Sequence, residues 1–208
     1  GKLNTLDVGS TTPRMLAEGA YGGTWNRDGV ILFTQSSTSP IYRVAANGGP
    51  AVPVTALDTA RGETSHRFPR FLPNGVHFLY LVRSSNPETR GIYLGSLASK
   101  ESHRLVDAVS KPEFAPPDLL LFMRESTLLA QPLDVGGSQL VGAPVRVAEP
   151  IGSYANTGAA GFSVSDTGVL AYRTGIGGDV RELVWFDRSG QRGGTVGTPA
   201  GYRNPRLS

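Results

Sequence analysis

The sequence predicts an all-β fold, a β-propeller of four-stranded antiparallel blades, and three observations carry that expectation. Runs of β-branched, aromatic and Leu residues recur between turn residues, while long stretches with helical apolar spacing are missing. The stretch "GGTWNRDGVILF" at 22–33 returns as "FLPNGVHFLY" from Phe71, "FAPPDLLLF" from Phe114 and "FSVSDTGVLAY" from Phe162. A period of roughly 40 to 45 residues with four strands in each repeat is that of a propeller blade.

Each copy has the same internal order. An inner strand runs into a turn marked by Asp28-Gly29, Asn74-Gly75 or Asp166 with Gly168, and an apolar second strand follows. Asp and Asn bond their own backbone and Gly accepts positive φ, so these are turn-formers rather than metal ligands. Third strands are expected over 41–44, 92–94, 128–133 and 183–186, each followed by a tight polar turn: "NGG" at 47–49, "SKES" at 99–102, "DVGG" at 134–137 and "DRSG" at 187–190. Short alternating fourth strands then carry Val52 and Val54, Arg104 and Val106, and Val145 and Val147. The third copy departs with Pro117-Asp118, and the fourth has two extra residues before Gly168.

One four-stranded sheet cannot cover both its faces, so such units stack on their neighbours. Trp25, Phe71, Phe114 and Phe162 recur at one blade position and are expected to pack between adjacent sheets; Trp185 and Tyr93 share a third-strand position and are read the same way. The opening "LNTLDVGSTTPRML" reads as the third and fourth strands of a preceding blade, and "YRNPRLS" from Tyr202 as the first strand of a following one. The expected layout is a single β-propeller domain or fragment: a partial blade at 1–16, four complete blades at about 17–58, 59–107, 108–149 and 150–197, and a next strand at 198–208. Strands from the two ends, lying side by side, are expected to form a composite fifth blade and cover edges that invite aggregation.

Composition agrees with short strands and frequent turns: 27 Gly and 15 Pro among 208 residues, with 39% hydrophobic residues to fill a core. The net charge of +3 is carried largely by Arg spread along the chain, so the basic patch of a nucleic-acid partner is missing. With no Cys there are no disulfides or thiolate metal sites. The longest apolar runs, such as "LLLF" at 119–122, fall far short of the ~18 residues of a membrane span. Gly1 is followed by polar "KLNT" rather than the basic and then apolar layout of a signal peptide, and a processed or excised piece is expected.

The core "WNRDGVILF" and "FLPNGVHFLY" resembles the "W-S-P-D-G-x-x-I-A-F" core of TolB-like propellers of the WD40-like PD40 repeat type, over nearly the whole chain. The stretch "RGETSHRFPRFLPNGVHFLYLVRSS", followed by "GIYLGSL", is similar to propeller regions of acidobacterial-type membrane-anchored serine/threonine kinases. That resemblance implies the C-terminal extracytoplasmic part of such a protein, and a periplasmic or extracytoplasmic location.

Strands alternate in direction, so the loops between blades share an end with the loops between second and third strands, and the Asp-Gly turns lie at the opposite end. The first end collects the long polar segments 58–67, 83–91, 107–113, 152–161 and 173–182. Loops on a rigid scaffold are where binding resides. Arg61, Glu63, His66 and Arg67 stand together at the entry to a channel-lining strand, with Arg83 on the neighbouring loop and Tyr154 on a Gly-rich loop suited to ligand stacking. One reading is a polar rim for an anionic, peptide or small-molecule ligand at the channel mouth. The other, the weightier, is a network of ion pairs and hydrogen bonds between blades, since clustered charge is not proof of a site.

No G-x-S-x-G elbow, H-E-x-x-H, P-loop or G-x-G-x-x-G is present; "GIGGD" at 175–179 lacks the third glycine and a βαβ setting. His77 inside a strand and His103 beside a hairpin turn read as surface or packing residues. No carboxylates are spaced as a metal-ligand set, and no cofactor is expected. These observations lead to the expectation of a non-catalytic ligand-sensing or protein-binding module, part of a larger receptor-type kinase. The alternatives are the propeller of a prolyl oligopeptidase or dipeptidyl peptidase type hydrolase, and a TolB-like periplasmic scaffold holding a partner peptide.

Overall fold

A computed structural model of the chain describes residues 1–19, 21–154, 156–174 and 181–200. The chain forms two compact units, Gly1–Asp107 and Ala108–Ser208. The strand read from Tyr202, and with it the pairing of the two chain ends, lies outside the described residues, as does "GIGGD".

In the first unit, β1 (Lys2–Thr5) and β2 (Arg14–Glu18) form a two-stranded antiparallel sheet. The first complete blade follows: β3 (Gly23–Trp25), β4 (Val30–Thr34), β5 (Ile41–Ala45) and β6 (Val52–Pro53), hydrogen-bonded in sequence order. The second blade repeats the plan with β7 (Glu63–Phe71), β8 (His77–Ser84), β9 (Gly91–Ser96) and β10 (Ser102–Val106). In the second unit the third blade is built from β11 (Glu113–Ala115), β12 (Leu119–Arg124) and β13 (Thr127–Asp134), with the short β14 (Gln139–Leu140) and the outer β15 (Val145–Ala148) both on β13. A two-residue ladder, β16 (Ser153–Tyr154) with β17 (Ala159–Ala160), leads into the fourth blade: β18 (Phe162–Val164), β19 (Leu170–Tyr172), β20 (Arg181–Phe186) and β21 (Arg192–Ala200). The fold is the expected β-propeller of four-stranded antiparallel blades.

The period of two decides which residues join which core, because directly paired residues share a face. In the first blade Leu32 and Ile41 face the second blade and pack with Phe71, Phe78, Tyr80, Val82 and Tyr93. Its other face, Ile31, Phe33 and Val44, packs with Leu16 and Ala17 of β2. In the second unit Ala115, Leu121, Met123 and Leu128 meet Phe162 and Val164 of the fourth blade. Hydroxyls of the first blade satisfy the outer backbone groups of β7: Thr24 Oγ1 accepts from the Phe71 amide (3.2 Å) and Thr34 Oγ1 donates to the His66 carbonyl (3.1 Å). The Ser39 carbonyl takes the His66 amide at 3.0 Å. An inner strand's exposed edge is thereby closed by its neighbour.

The Asp-Gly turns are structural, though the side chain responsible varies. In the first blade Asn26 Oδ1 accepts from the Asp28 and Val30 amides (3.1 and 2.9 Å), and Asn26 Nδ2 donates to the Gly75 carbonyl (2.8 Å). In the second, Asn74 Oδ1 takes the Val76 and His77 amides. Ser165 plays the Asn26 role in the fourth blade, its Oγ accepting the Val169 amide at 3.0 Å.

Register corrects the reading of the aromatics. Trp25 pairs with Ile31 and Val164 with Leu170, six residues apart in both blades, so Val164 holds the Trp25 position and Phe162 that of Gly23. The two extra residues belong to the strand, and the fourth turn matches the first in length. Phe71, Phe114 and Phe162 are buried as expected, but Trp25 is 59% exposed and Trp185 40% exposed, where Tyr93 is buried.

Candidate functional site

The connection into β7 is short and tightly bonded. Asp58 caps a single 3-10 turn, Thr59–Arg61, its Oδ1 accepting the Arg61 amide at 3.1 Å, and Gly62 ends the turn at a φ of 82°. The loop between β8 and β9 folds onto it: Thr89 Oγ1 donates to the Arg61 carbonyl (3.0 Å) and Ser84 Oγ to that of Gly62 (2.9 Å). The two loops share one end of the second blade, as strand alternation requires.

Just inside this end lies a half-buried polar group centred on the buried His66. Glu63 Oε2 accepts the Asp58 amide (2.8 Å) and sits 3.1 Å from His66 Nε2. His66 Nδ1 lies 2.8 Å from Oγ1 of Thr55, and that same Oγ1 accepts the Ile41 amide at 2.9 Å. One neutral tautomer satisfies every partner: Nε2–H donates to the carboxylate, and Nδ1 accepts the Thr55 hydroxyl proton. His66 therefore bridges the exit of the first blade to the entry of the second. Burial opposes ionisation of Glu63, but the hydrogen bonds from His66 and the Asp58 amide, with the charge of Arg61, outweigh it and hold the carboxyl below its ordinary value.

The His66 ring stands 5.1 Å from that of Tyr80, which in turn is 5.8 Å from Tyr93 and 5.6 Å from Phe78. A cavity of about 250 Å³ opens over this layer, between the end of β6 and the outer half of the second blade. Tyr80, Tyr93 and His66 form its inner wall, and Arg61, Lys100, Asp58 and Glu101 bring charge of both signs to it. Burial pushes the Tyr80 phenol well above its usual range, against the opposing bond from Ser102, and Tyr93 is raised by burial and by the Glu63 charge. Both remain neutral hydroxyls at ordinary pH. Tyr93 donates to the Thr89 carbonyl at 2.8 Å.

The structure divides the site residues expected from sequence. Arg61, Glu63 and His66 line the cavity, whereas Arg67 and Arg83 do not. Arg67 bonds Ser65 Oγ through Nε (2.9 Å) and the Ser37 carbonyl through Nη2 (2.7 Å); burial and the Arg83 charge lower its pKa from the ordinary value. Tyr154 belongs to the second unit, where the Arg173 guanidinium lies 5.1 Å from its ring centre and Nη1 donates to its hydroxyl at 3.4 Å. Thr55, Tyr80, Lys100 and Ser102 carry no signal of a site in the sequence, and Tyr93 reads there as a packing aromatic rather than a site residue. Alternation along β8 does place Tyr80 on the Phe78 face, but nothing in the local sequence ties Thr55 to His66. Among the described residues no group of three or more His, Asp or Glu side chains could hold a metal ion, and no helix is long and apolar enough to cross a membrane.

The depressed Glu63 pKa has a testable sign. A carboxyl whose folded pKa is lowered contributes stability that is full above its unfolded value, near 4.5, and is lost as pH falls through the folded value. Urea midpoints of the wild type should therefore fall more steeply below about pH 4.5 than those of Glu63→Gln. Parallel curves for the two proteins would show that Glu63 is not held ionised by its partners.

No family model matches the chain, and no curated protein matches its sequence. Solved structures match in fold. TolB from Acinetobacter baumannii aligns with a TM-score of 0.66 at 16% identity, over 95% of this chain and 49% of TolB. Regucalcin from Agrobacterium tumefaciens, a calcium-binding protein, aligns at 0.63 and 15% identity over 96% of this chain and 68% of its own. A gluconolactonase from Xanthomonas campestris aligns at 0.59 and 17% identity over 91% and 66%. The chain thus spans about half the length of TolB. At such identities the likeness establishes the fold, that of the TolB-like propellers. It also corrects the expectation of a non-enzyme. Gluconolactonase has this fold, so the missing G-x-S-x-G, zinc and P-loop motifs, which belong to other architectures, are no argument against catalysis.

Proposed function

We propose that this chain is a ligand-recognition β-propeller module whose site is the cavity between its first two complete blades. The observation that carries the reading is the Glu63–His66–Thr55 set, with His66 buried at its centre, standing at the wall of a 250 Å³ cavity. A volume near the lower end of small-molecule sites suits a metabolite-sized ligand. Charges of both signs at the rim, Arg61 and Lys100 against Asp58 and Glu101, suit a zwitterion such as an amino acid or short peptide. The neutral Tyr80 and Tyr93 hydroxyls and the oriented imidazole add hydrogen-bonding groups.

The kinase-like stretch supports a wider setting for the same site: the extracytoplasmic, ligand-sensing part of a receptor-type serine/threonine kinase, with ligand or peptide occupancy as the signal. The full gene tests that setting, since a kinase domain and a membrane span in one reading frame are expected, and an adjoining α/β-hydrolase would refute it. For the site itself, the panel of amino acids and dipeptides should be screened by melting temperature and titrated calorimetrically. Binding is expected to weaken about tenfold or more in Arg61→Ala and Lys100→Ala, whose exposed side chains contribute little to folding. A panel that leaves the melting temperature unmoved, or binding untouched by both variants, would remove the cavity as the site.

A further inference from the structure

Thr55 differs from the other hydroxyls at the junction of the first two complete blades. Thr24 and Thr34, which close the β7 edge, are 9% and 1% exposed and bond backbone groups. Thr55 is half-buried, lines the cavity and directs its hydroxyl proton to a ring nitrogen of His66. The two other histidines have no such setting: His77 Nδ1 lies 2.8 Å from Asn74 Nδ2, and His103 is exposed on β10. Among the described residues neither of them meets a carboxylate, whereas His66 does.

A hydroxyl whose proton is held by an unprotonated imidazole, which a carboxylate in turn orients, is the arrangement of an activated oxygen nucleophile. Glu63 fixes the ring from its far side, so that with Nε2–H on Oε2 the bare Nδ1 stands 2.8 Å from Thr55 Oγ1. The Ile41 amide donates to the same Oγ1 at 2.9 Å. That bond favours negative charge developing on the oxygen, and it leaves one lone pair for attack. Arg61 and Lys100, on the same cavity, supply positive charge for a carbonyl oxygen that becomes an oxyanion. Asp58 and Glu101, also on its lining, suit an ammonium group.

We infer that Thr55 is a nucleophile, His66 its general base and Glu63 a positioning residue, in a site that hydrolyses a small carboxylic ester; the mixed charge of the lining fits an amino-acid ester. The inference rests on the cavity being the ligand site proposed above. Oγ1 adds to the ester carbonyl carbon while its proton passes to His66 Nδ1, and the carbonyl π pair moves onto oxygen. Collapse breaks the bond to the alcohol oxygen, which leaves with that proton, and an acyl ester of Thr55 remains. Water then gives a proton to Nδ1 and its oxygen to the acyl carbon, the bond to Oγ1 breaks, and Oγ1 recovers the proton. Ester and water become acid and alcohol, and nothing else is consumed.

The full chain is tested with L-alanine p-nitrophenyl ester, by nitrophenolate release above the chain-free rate and by peptide mass mapping after an acid quench. Turnover and an alanyl adduct on Thr55 are expected. Thr55→Val should lower kcat about 100-fold or more, whereas Thr55→Ser, which restores a hydroxyl, should stay within about tenfold of the wild type. Glu63→Gln should lower kcat about tenfold with KM nearly unchanged, a split that loosened packing would not produce. Circular dichroism checks the fold of each variant, and the adduct on wild-type Thr55 depends on no variant. Adducts confined to other residues, or turnover that survives in Thr55→Val, overturn Thr55 as the nucleophile. Calorimetry with L-alanine amide separates this inference from the reading it rests on. If the amide binds and the ester is not hydrolysed, the nucleophile falls and the cavity stands as a binding site; if the amide does not bind and the ester is not hydrolysed, both fall.

Discussion

His66→Ala is expected to destabilise the first unit by about 3 kcal/mol, since it strands one buried partner, frees another and opens a cavity. The imidazole is 3% exposed and bonds two residues on different blades. Its removal leaves Glu63, with a side chain 8% exposed, holding its charge on the Asp58 amide and the more distant Arg61 charge. Thr55 loses the acceptor for its hydroxyl proton, and Tyr80 loses a ring neighbour at 5.1 Å. Equilibrium denaturation of His66→Ala, Glu63→Gln and the double variant gives the coupling directly, expected at about 1 kcal/mol or more. A single-variant cost below about 0.5 kcal/mol would mean that the pair is solvated and does not join the blades.

Tyr80→Ala should cost still more, about 4 kcal/mol, the scale of an aromatic deleted from a packed core. Tyr80 is 1% exposed and contacts the rings of His66, Phe78 and Tyr93, so three neighbours lose packing at once. Tyr80→Phe keeps the ring and removes only the hydroxyl bond with Ser102, for about 1 kcal/mol. The contrast, read from urea midpoints at equal m-value, separates core packing from the polar wall of the cavity. If the two variants were equally destabilised, the hydroxyl rather than the ring would hold this layer together.

Both experiments bear on residues that differ in how well the sequence announces them. His66 and Glu63 are legible as a charged cluster at the entry to an inner strand, because the repeat assigns that entry to the loop-bearing end. Their roles are not legible. Whether Glu63 meets Arg61, Arg67 or His66 depends on the pitch of β7, whose register with β8 shifts twice, between Glu63 and Ser65 and between Arg67 and Arg70. Those irregularities send Arg67 toward Ser37 while His66 turns to Thr55. Thr55 itself lies eleven residues upstream on another blade, and only the packing of the two sheets brings its hydroxyl to the ring.

The misread aromatics have a similar cause. Aligning Phe162 with Trp25 by residue type alone puts the fourth blade two residues out of register, and a shift of two leaves every side chain on its expected face. The error therefore passes unnoticed by any test of alternation, and the hydrogen-bonded turn at Ser165 is what exposes it. The sequence places Trp25 at an interface because its repeat position is an interface elsewhere. Its exposure depends on what packs on that face in space, a property of no residue within the repeat.

Local chemistry thus wrote the repeat into the sequence: alternation set strand faces, Asn, Asp, Ser and Gly set the turns, and the period set the blade. These signals act within a few residues of one another, which is why they can be read in a line. Which polar groups share a cavity, which carboxylate is held ionised and which aromatic lies open to solvent were decided by sheet-on-sheet contact, because burial and hydrogen bonding between blades depend on distances in space that the order of residues does not contain.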